Sequence, residues 1–366
     1  MGIVGLPNVG KSTFFNLLCN MNVSAENYPF CTIDPNVSKV AVPDERFDHL
    51  VALNKPKSVV PAVLTVTDIA GLVKGAAEGA GLGNAFLSHI AAVDGIFHVC
   101  RAFGGTDVTH VEGEVDPVRD LEIIHNELRL KDIATVAAKL ETMKKAVDGN
   151  RGGKELKEEY VALGKVLDAL KAGKDVRDGE AWGNVEVEAI NRCNLITAKP
   201  MVYLVNLSEK DYVRKSNKFL PKLAEWLKAH HPDDKMLPFS CEFEAKWVDM
   251  SPADREAYAK DNGGAKSSMP RIIKIGYHAL NLCHFFTAGA DEVRAWTIKV
   301  GTPAPAAAGV IHTDIQKNFI AAEIYAFDDL KEAGTEVKVR EAGKYHTKGK
   351  LYEIADGDVC FFKHGA

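Results

Sequence analysis

Residues 5–12 read Gly-Leu-Pro-Asn-Val-Gly-Lys-Ser, which fits G-x-x-x-x-G-K-[ST] between a strand-like run and the helix-like STFFNLLCN. Glycines at both ends let the backbone curl so that successive N–H groups point inward at phosphate oxygens. The following helix adds the positive end of its dipole. In such a loop Lys11 reaches the β and γ phosphates, and Ser12 holds Mg2+ through its hydroxyl. The chemistry expected here is the binding of a nucleoside triphosphate.

Further residues extend that chemistry. Asp68-Ile69-Ala70-Gly71 closes the strand-like VLTVTDIAG, where Asp68 is expected to steady the metal and the Gly71 N–H to approach a γ-phosphate. Five glycines crowd Gly71 to Gly83, a segment costly to order, so phosphate contact could decide its state; a passive surface loop is the competing reading. Thr32 lies where the loop after the first helix could add a second hydroxyl to Mg2+. Regulatory GTPases read guanine with N-K-x-D, whereas the run MVYLVN here ends in Asn206-Leu207-Ser208-Glu209. Leucine offers an apolar face to a base, and the displaced, longer Glu209 removes the carboxylate that selects guanine, unless this tetrapeptide is an ordinary helix-starting turn. Ser240 follows the last strand, where its backbone can line the base side. The glutamine that orients the attacking water in small GTPases is replaced by Leu72. His89 falls in a helical pattern and His98 in a strand pattern, leaving His110 in a loop as the histidine free to approach a phosphate.

The elements that must position these groups are short apolar runs alternating with helical patterns, the signature of a largely parallel sheet covered on both faces. The alternation stops between about Asp120 and Arg192. There Ile133, Val136, Leu140, Met143 and Val147 form one apolar seam, and Leu156, Tyr160, Leu163, Leu167 and Leu170 a second. With DGNRGGK between them, an inserted antiparallel helical hairpin is expected, or two amphipathic helices packed on the core. After a final helix from about Pro270 to Cys283 the texture turns to strands: EVRAWTIKVG, FIAAEIYAF and GDVCFFKH, with GTPAPAAAG read as a loop. The expected domains are therefore 1–119 with 193–278 for the nucleotide, 120–192 for the insertion and 279–366 for a small β-rich unit. The brevity of the strand Gly2 to Val4 leads one to expect a few further residues upstream.

Bulk properties set limits. Hydrophobic content of 46% and charged content of 26% suit a globular chain, and a net charge of -5 excludes nucleic-acid binding by overall charge. Seven scattered cysteines without a CxxC pair argue against a disulfide framework or zinc ribbon. No apolar run reaches membrane-span length, so no membrane partner and a cytoplasmic location are expected. Acyl-transfer and metalloprotease chemistries lack G-x-S-x-G and H-E-x-x-H. One local basic strip, with Lys338, Arg340, Lys344, Lys348 and Lys350 around Tyr345 and Tyr352, suits an RNA backbone or is simply a solvated face.

Taken together, GLPNVGKST, NYPFCTIDPN, DIAGLVKGAAEGAGLGNAFLSHI, THVEGEVDPVRDLEIIHNEL, NLSE and FFTAGADEVRAWTIKVGTPAPAAAGVIHTD closely resemble the YchF / Obg-like ATPase family, over essentially the whole chain. That resemblance implies an α/β P-loop fold of the Ras-like GTPase type, a helical hairpin insertion and a C-terminal TGS domain of β-grasp type. It implies ATP as substrate with GTP weaker. Residues Asn8, Val9, Gly10, Lys11, Ser12 and Thr13 would cradle phosphates, Ser12 and Thr32 would meet Mg2+, and Phe103, Asn206 and Leu207 would surround adenine. His110 resembles the histidine proposed to assist hydrolysis. Asn8 resembles the P-loop asparagine of K+-stimulated relatives, which admits K+ as an activator. The family's link to ribosomes, translation and stress control implies a ribosomal or rRNA partner, with nuclear entry left open. An Obg-type GTPase and a nucleotide-gated scaffold with negligible turnover remain the alternatives.

Overall fold

A computed structural model describes residues 1–23, 36–69, 89–104, 114–149, 151, 153–178 and 181–365. The chain divides into two compact units, one comprising Met1–Leu18, Pro35–Val37 and Val66–Ser268, the other Cys19–Asp34, Ser38–Thr65 and Met269–Ala366.

The first unit is built on parallel strands. β1 (Gly2–Val4) leads through the phosphate loop into helix α1 (Lys11–Val23). After β2 (Val37–Ala41), α2 (Glu45–Asn54), β3 (Ser58–Val60) and β4 (Val63–Asp68), the chain returns as β5 (Ile96–Arg101). β1 pairs with both β4 and β5, and β5 continues to β6 (Met201–Asn206) and β7 (Lys235–Phe239), every pair parallel. All six residues of β5 and of β6 are buried, which is why MVYLV of β6 reads as an unbroken apolar run, while β5 also buries His98 and Arg101. Parallel pairing brings the C-terminal ends of β1, β4, β5 and β6 to one edge of the sheet, where ligands of open α/β sheets bind.

Between β5 and β6 run α3 (Pro117–Asp148), α4 (Gly153–Lys171) and α5 (Asn184–Cys193). Asp116 caps α3, accepting from Val118 and Arg119 N–H groups, and Pro117 occupies the first turn where its missing N–H costs nothing. At 32 residues α3 is about 48 Å long at 1.5 Å per residue. Val136 and Met143 of α3 pack with Leu163, Val166 and Leu170 of α4, but the same cluster takes in Ala189 and Ile190 of α5. The insertion therefore contains a third helix that the two sequence seams do not announce. α6 (Glu209–Arg214), α7 (Leu220–His230), α8 (Cys241–Asp249) and α9 (Pro252–Asp261) complete this unit.

In the second unit, α10 (Met269–Ala279) precedes a mixed sheet of β8 (Leu282–Ala288), β9 (Glu292–Lys299), β10 (Phe319–Ala326), β11 (His346–Lys348) and β12 (Asp358–His364), ordered β11-β10-β12-β8-β9-β3. β3 joins by pairing parallel with β9, so the unit reaches back to Ser38–Thr65. The segment expected as a loop, GTPAPAAAG, is instead largely helical: α11 (Ala304–Ile311). Its prolines sit at the cap and first turn, where they pre-set helical dihedrals, and the alanines behind them are the strongest helix formers. Ala304, Ala307 and Ala308 are fully buried against Phe285, Ile298 and Ile324. α12 (Thr313–Lys317), α13 (Phe327–Ala333) and α14 (Glu336–Glu341) connect the remaining strands.

Candidate nucleotide site

The loop between β1 and α1 shows why its glycines are glycines. A Cβ on Gly5 would stand 2.5 Å from the Val99 carbonyl oxygen, and one on Gly10 would stand 2.5 Å from the Asn206 Nδ2. Gly10 also adopts φ +102, and Asn8 sits at φ 63, a left-handed conformation that asparagine tolerates. The curl leads directly into α1, whose first turn has no acidic side chain to compete with an anion. Ser12 and Thr13 are exposed on that first turn, as is Asn8 before it.

Lys11 is buried, and its Nζ donates to the Leu6 carbonyl oxygen at 2.8 Å across the loop. Burial pushes its pKa down to about 8, opposed by the nearby Asp68 carboxylate. Asp68 ends β4, with Ile3 of β1 opposite it, and its N–H donates to the Asn36 carbonyl at 2.8 Å. Its Oδ1 is buried and has no hydrogen-bond partner among the described residues. An orphaned carboxylate oxygen beside a phosphate loop suits a hard divalent cation, so the donor set of Asp68 and the Ser12 hydroxyl fits Mg2+.

On the base side, Asn206 ends β6 and is itself buried. Its Nδ2 donates to the Val9 carbonyl at 3.0 Å, and its Oδ1 accepts from the Cys241 N–H at 3.0 Å. Its side chain thus ties the phosphate loop to the turn after β7. Leu207, expected as an apolar face for a base, is buried, its N–H bound to the Phe239 carbonyl at 2.8 Å. Ser240 is fully buried and caps α8, its hydroxyl accepting from Phe243 N–H at 3.3 Å. Phe103 is half-buried beneath the Arg101 guanidinium, 4.7 Å from its ring centroid.

Glu209 is held by two groups of the protein. One carboxylate oxygen is ion-paired with Lys246, and the other accepts from Tyr258 OH at 2.7 Å. Both oxygens are therefore engaged inside the protein. Lys246 and Tyr258 were missed by sequence reasoning; the available signal was Lys246 standing four residues after Glu242 on a helix opened by Ser240. Thr32, Gly71, Leu72 and His110, and the whole Gly71 to Gly83 segment, lie outside the described residues. His89 and His98 fall in a helix and in β5 respectively, and His98 is buried.

Two of the five cations of the basic strip are paired with carboxylates. Arg340 pairs with Glu336 at 3.2 Å, and Lys344 with Asp329 at 2.9 Å and Glu332 at 2.8 Å. Lys338 and Arg340 belong to helix α14 rather than to an extended strip.

A parallel sheet whose first strand feeds a glycine-bounded phosphate loop is the P-loop fold of the GTPase type. Comparison with known proteins bears this out: residues 1–139 match a family described as 50S ribosome-binding GTPase, and residues 282–365 match the YchF GTPase C-terminal family, described as of unknown function. Obg-like ATPase 1 of Gallus gallus is 55% identical over 368 residues, spanning 99% of this chain and 91% of that protein. Obg-like ATPase 1 of Homo sapiens is 56% identical over 365 residues, with the same shares. The solved YchF GTPase of Schizosaccharomyces pombe superposes with a TM-score of 0.90 at 50% identity, over 99% of this chain and 97% of its own. The chain belongs to the YchF family of Obg-like ATPases.

Proposed function

We propose that this chain is an ATP-hydrolysing switch, turning ATP over slowly to ADP and phosphate. The observation that carries the base preference is the capture of Glu209 by Lys246 and Tyr258. Guanine recognition needs a carboxylate aimed at N1–H and the exocyclic amine, whereas here each Glu209 oxygen is already turned to a protein donor. Adenine, with an acceptor at N1, makes no such demand, and the matched relatives carry ATPase in their names.

In this reading the N–H groups from Asn8 to Thr13 and the Lys11 ammonium hold the polyphosphate, while Phe103, Asn206, Leu207, Glu209 and Ser240 border the base. Asp68 and Ser12, with Thr32, would hold Mg2+, which when bound neutralises charge on the β and γ oxygens. Gly71 and His110 are assigned to the γ-phosphate and to water activation, and K+ near Asn8 is an activator to be tested. Residues 279–366 are assigned a TGS domain of β-grasp type, 120–192 the helical insertion, and 1–119 with 193–278 the nucleotide domain, although Ser38–Thr65 and the residues from Met269 pack in the second compact unit. We place the chain in the cytoplasm, with a ribosomal partner reached through its nucleotide state. Support for that partner is the 50S ribosome-binding GTPase family over residues 1–139. No helix among the described residues is long and apolar enough to cross a membrane.

Calorimetric titration of ATP and GTP side by side, with Mg2+, tests the reading. Tighter ATP binding, and loss of turnover in Lys11→Ala, are expected. Tighter GTP binding would overturn the base assignment, and undiminished turnover in Lys11→Ala the phosphate assignment.

A further inference from the structure

A second cluster of chemistry-bearing side chains lies in the first unit and takes no part in the site above. His125 of α3, Asp175 in the segment after α4 and His231 at the end of α7 are all buried. Each offers one ligand atom, and those atoms lie within 4.8 Å of one another. His125 Nδ1 is 2.9 Å from Asp175 Oδ2, and His231 Nε2 is 3.9 Å from the same oxygen. The two imidazoles stack 4.7 Å apart at an interplanar angle of 19°.

The outward atom of each residue is anchored. His125 Nε2 meets Tyr203 OH at 2.9 Å, His231 Nδ1 meets Asp178 Oδ2 at 2.5 Å, and Asp175 Oδ1 accepts from Arg129 at 3.2 Å. Metal-bound histidines are held in this way, by a carboxylate or hydroxyl on the nitrogen turned away from the ion. With its Nδ1–H given to Asp178, His231 keeps a lone pair on Nε2, which makes no hydrogen bond to any described residue. Arg177 approaches Asp175 at 3.7 Å and Asp234 at 3.1 Å. The carboxylates of Asp175, Asp178 and Asp234 outnumber the guanidinium groups of Arg129 and Arg177 by one, so the cluster favours an added cation. It also has an entrance: a cavity of about 520 Å³ lined by His125, Asp175 and His231 together with Glu122, Asn126 and His230.

We propose that His125, Asp175 and His231 bind one divalent transition-metal ion of Zn2+ chemistry, with a fourth position open to the cavity. Two imidazole nitrogens and one carboxylate oxygen are a donor set that zinc accepts in tetrahedral geometry, and one that Mg2+ does not favour. Binding at His125 Nδ1 moves that ring's proton to Nε2, where it donates to the Tyr203 oxygen. The ion would clip α3 and the segment after α4 to the end of α7.

The test uses the full chain, stripped with a chelator and titrated with Zn2+ without nucleotide and under excess Mg2+. A single equivalent of Zn2+ is expected to bind and to raise the melting temperature. His231→Ala and Asp175→Asn should lose that equivalent, with circular dichroism and ATP affinity retained. Asp178→Asn should weaken it by about 10–100-fold. Co2+ in the unmodified chain should give tetrahedral d–d bands without a thiolate charge-transfer band, a reading that stands even where a variant fails to fold. No uptake of Zn2+, uptake unchanged in folded His231→Ala, or a thiolate band would each overturn the site.

Discussion

Asn206 and Val9 are 197 positions apart in sequence, yet the Asn206 side-chain amide donates to the Val9 carbonyl at 3.0 Å. The same amide accepts from Cys241 at 3.0 Å, so a single buried side chain fixes the phosphate loop against the base-side turn. Asn206→Ala leaves a buried carbonyl and a buried N–H without partners, at about 1–3 kcal/mol. We expect a lowered melting temperature and ATP affinity reduced roughly tenfold or more. Calorimetry on Asn206→Ala and Asn206→Asp separates the two bonds, since aspartate restores only the acceptor to Cys241. Affinity equal to that of the parent chain in both variants would rule out the clamp.

Gly10 makes the same contact possible from the other side. An added Cβ would collide with Asn206 Nδ2 at 2.5 Å in a backbone already at φ +102. Gly10→Ala is therefore expected to cost about 1–3 kcal/mol through strain and to weaken ATP further than it weakens the fold. Thermal melts with and without ATP-Mg2+ measure this, and an ATP-induced rise in melting temperature as large as that of the parent chain would contradict it.

Lys11 gives the site a pH dependence. Burial lowers its folded pKa to about 8 from 10.5, so between those values the folded chain without nucleotide binds fewer protons than the unfolded chain. Unliganded stability accordingly gains from this group as pH rises through that window. ATP binding goes the other way, because the polyphosphate needs the ammonium. Affinity should fall as pH rises above about 8, by up to roughly tenfold per unit, with proton uptake on binding. Calorimetry in buffers of different ionisation enthalpy detects that proton. Lys11→Arg, which stays charged, should abolish the uptake; a proton count unchanged in this variant would assign it elsewhere.

Asp44 carries a stability prediction in the second unit. Burial alone would raise its pKa, but hydrogen bonds from His284 at 2.7 Å and from Arg46 outweigh that and hold the carboxyl well below the usual range. It also caps α2 by accepting from the Arg46 N–H at 2.8 Å. A depressed carboxylate stabilises fully above its unfolded pKa, near 4, and its contribution is lost as pH falls through the folded value. Asp44→Asn should lower stability at neutral pH by about 2–4 kcal/mol and flatten the acid limb of the stability curve. Urea melts across the acid range would show otherwise if the two curves stayed parallel.

The phosphate loop was legible because its function depends on local spacing: eight consecutive residues carry the turn, the cation and the hydroxyl. The central parallel strand was legible for a similar reason, since burial on both faces leaves an apolar run such as MVYLV. What was not legible depends on contacts distant in sequence. The pairing of Ser58 with Glu292 joins segments with no shared pattern. α11 was hidden by prolines that read as breakers in isolation but serve as a helix start once alanines follow. α5 escaped because its ten residues bury only Ala189 and Ile190, too few to set a visible period. The role of Asn206 was anticipated at the base, whereas its side chain works as a brace.

The pairing of Glu209 with Lys246 and Tyr258 gives the sharpest test of base choice. Each oxygen is held toward a protein donor, so releasing the carboxylate should let position 209 compete for guanine donors. Lys246→Ala combined with Tyr258→Phe removes the two partners, neither of which is placed against the nucleotide. A carboxylate hydrogen bond is worth about 1.5–3 kcal/mol, and the greater length of glutamate will misplace part of it. The ratio of ATP to GTP affinity should therefore fall by about tenfold in the double variant, through a gain in GTP binding rather than a loss of ATP. Adding Glu209→Asp and Leu207→Lys should carry the ratio further toward GTP, because the shorter carboxylate and the lysine stem approach the N-K-x-D arrangement. Competition titrations of both nucleotides across this series decide the matter. A ratio that stays fixed while Glu209 is released would show that selectivity resides elsewhere in the pocket.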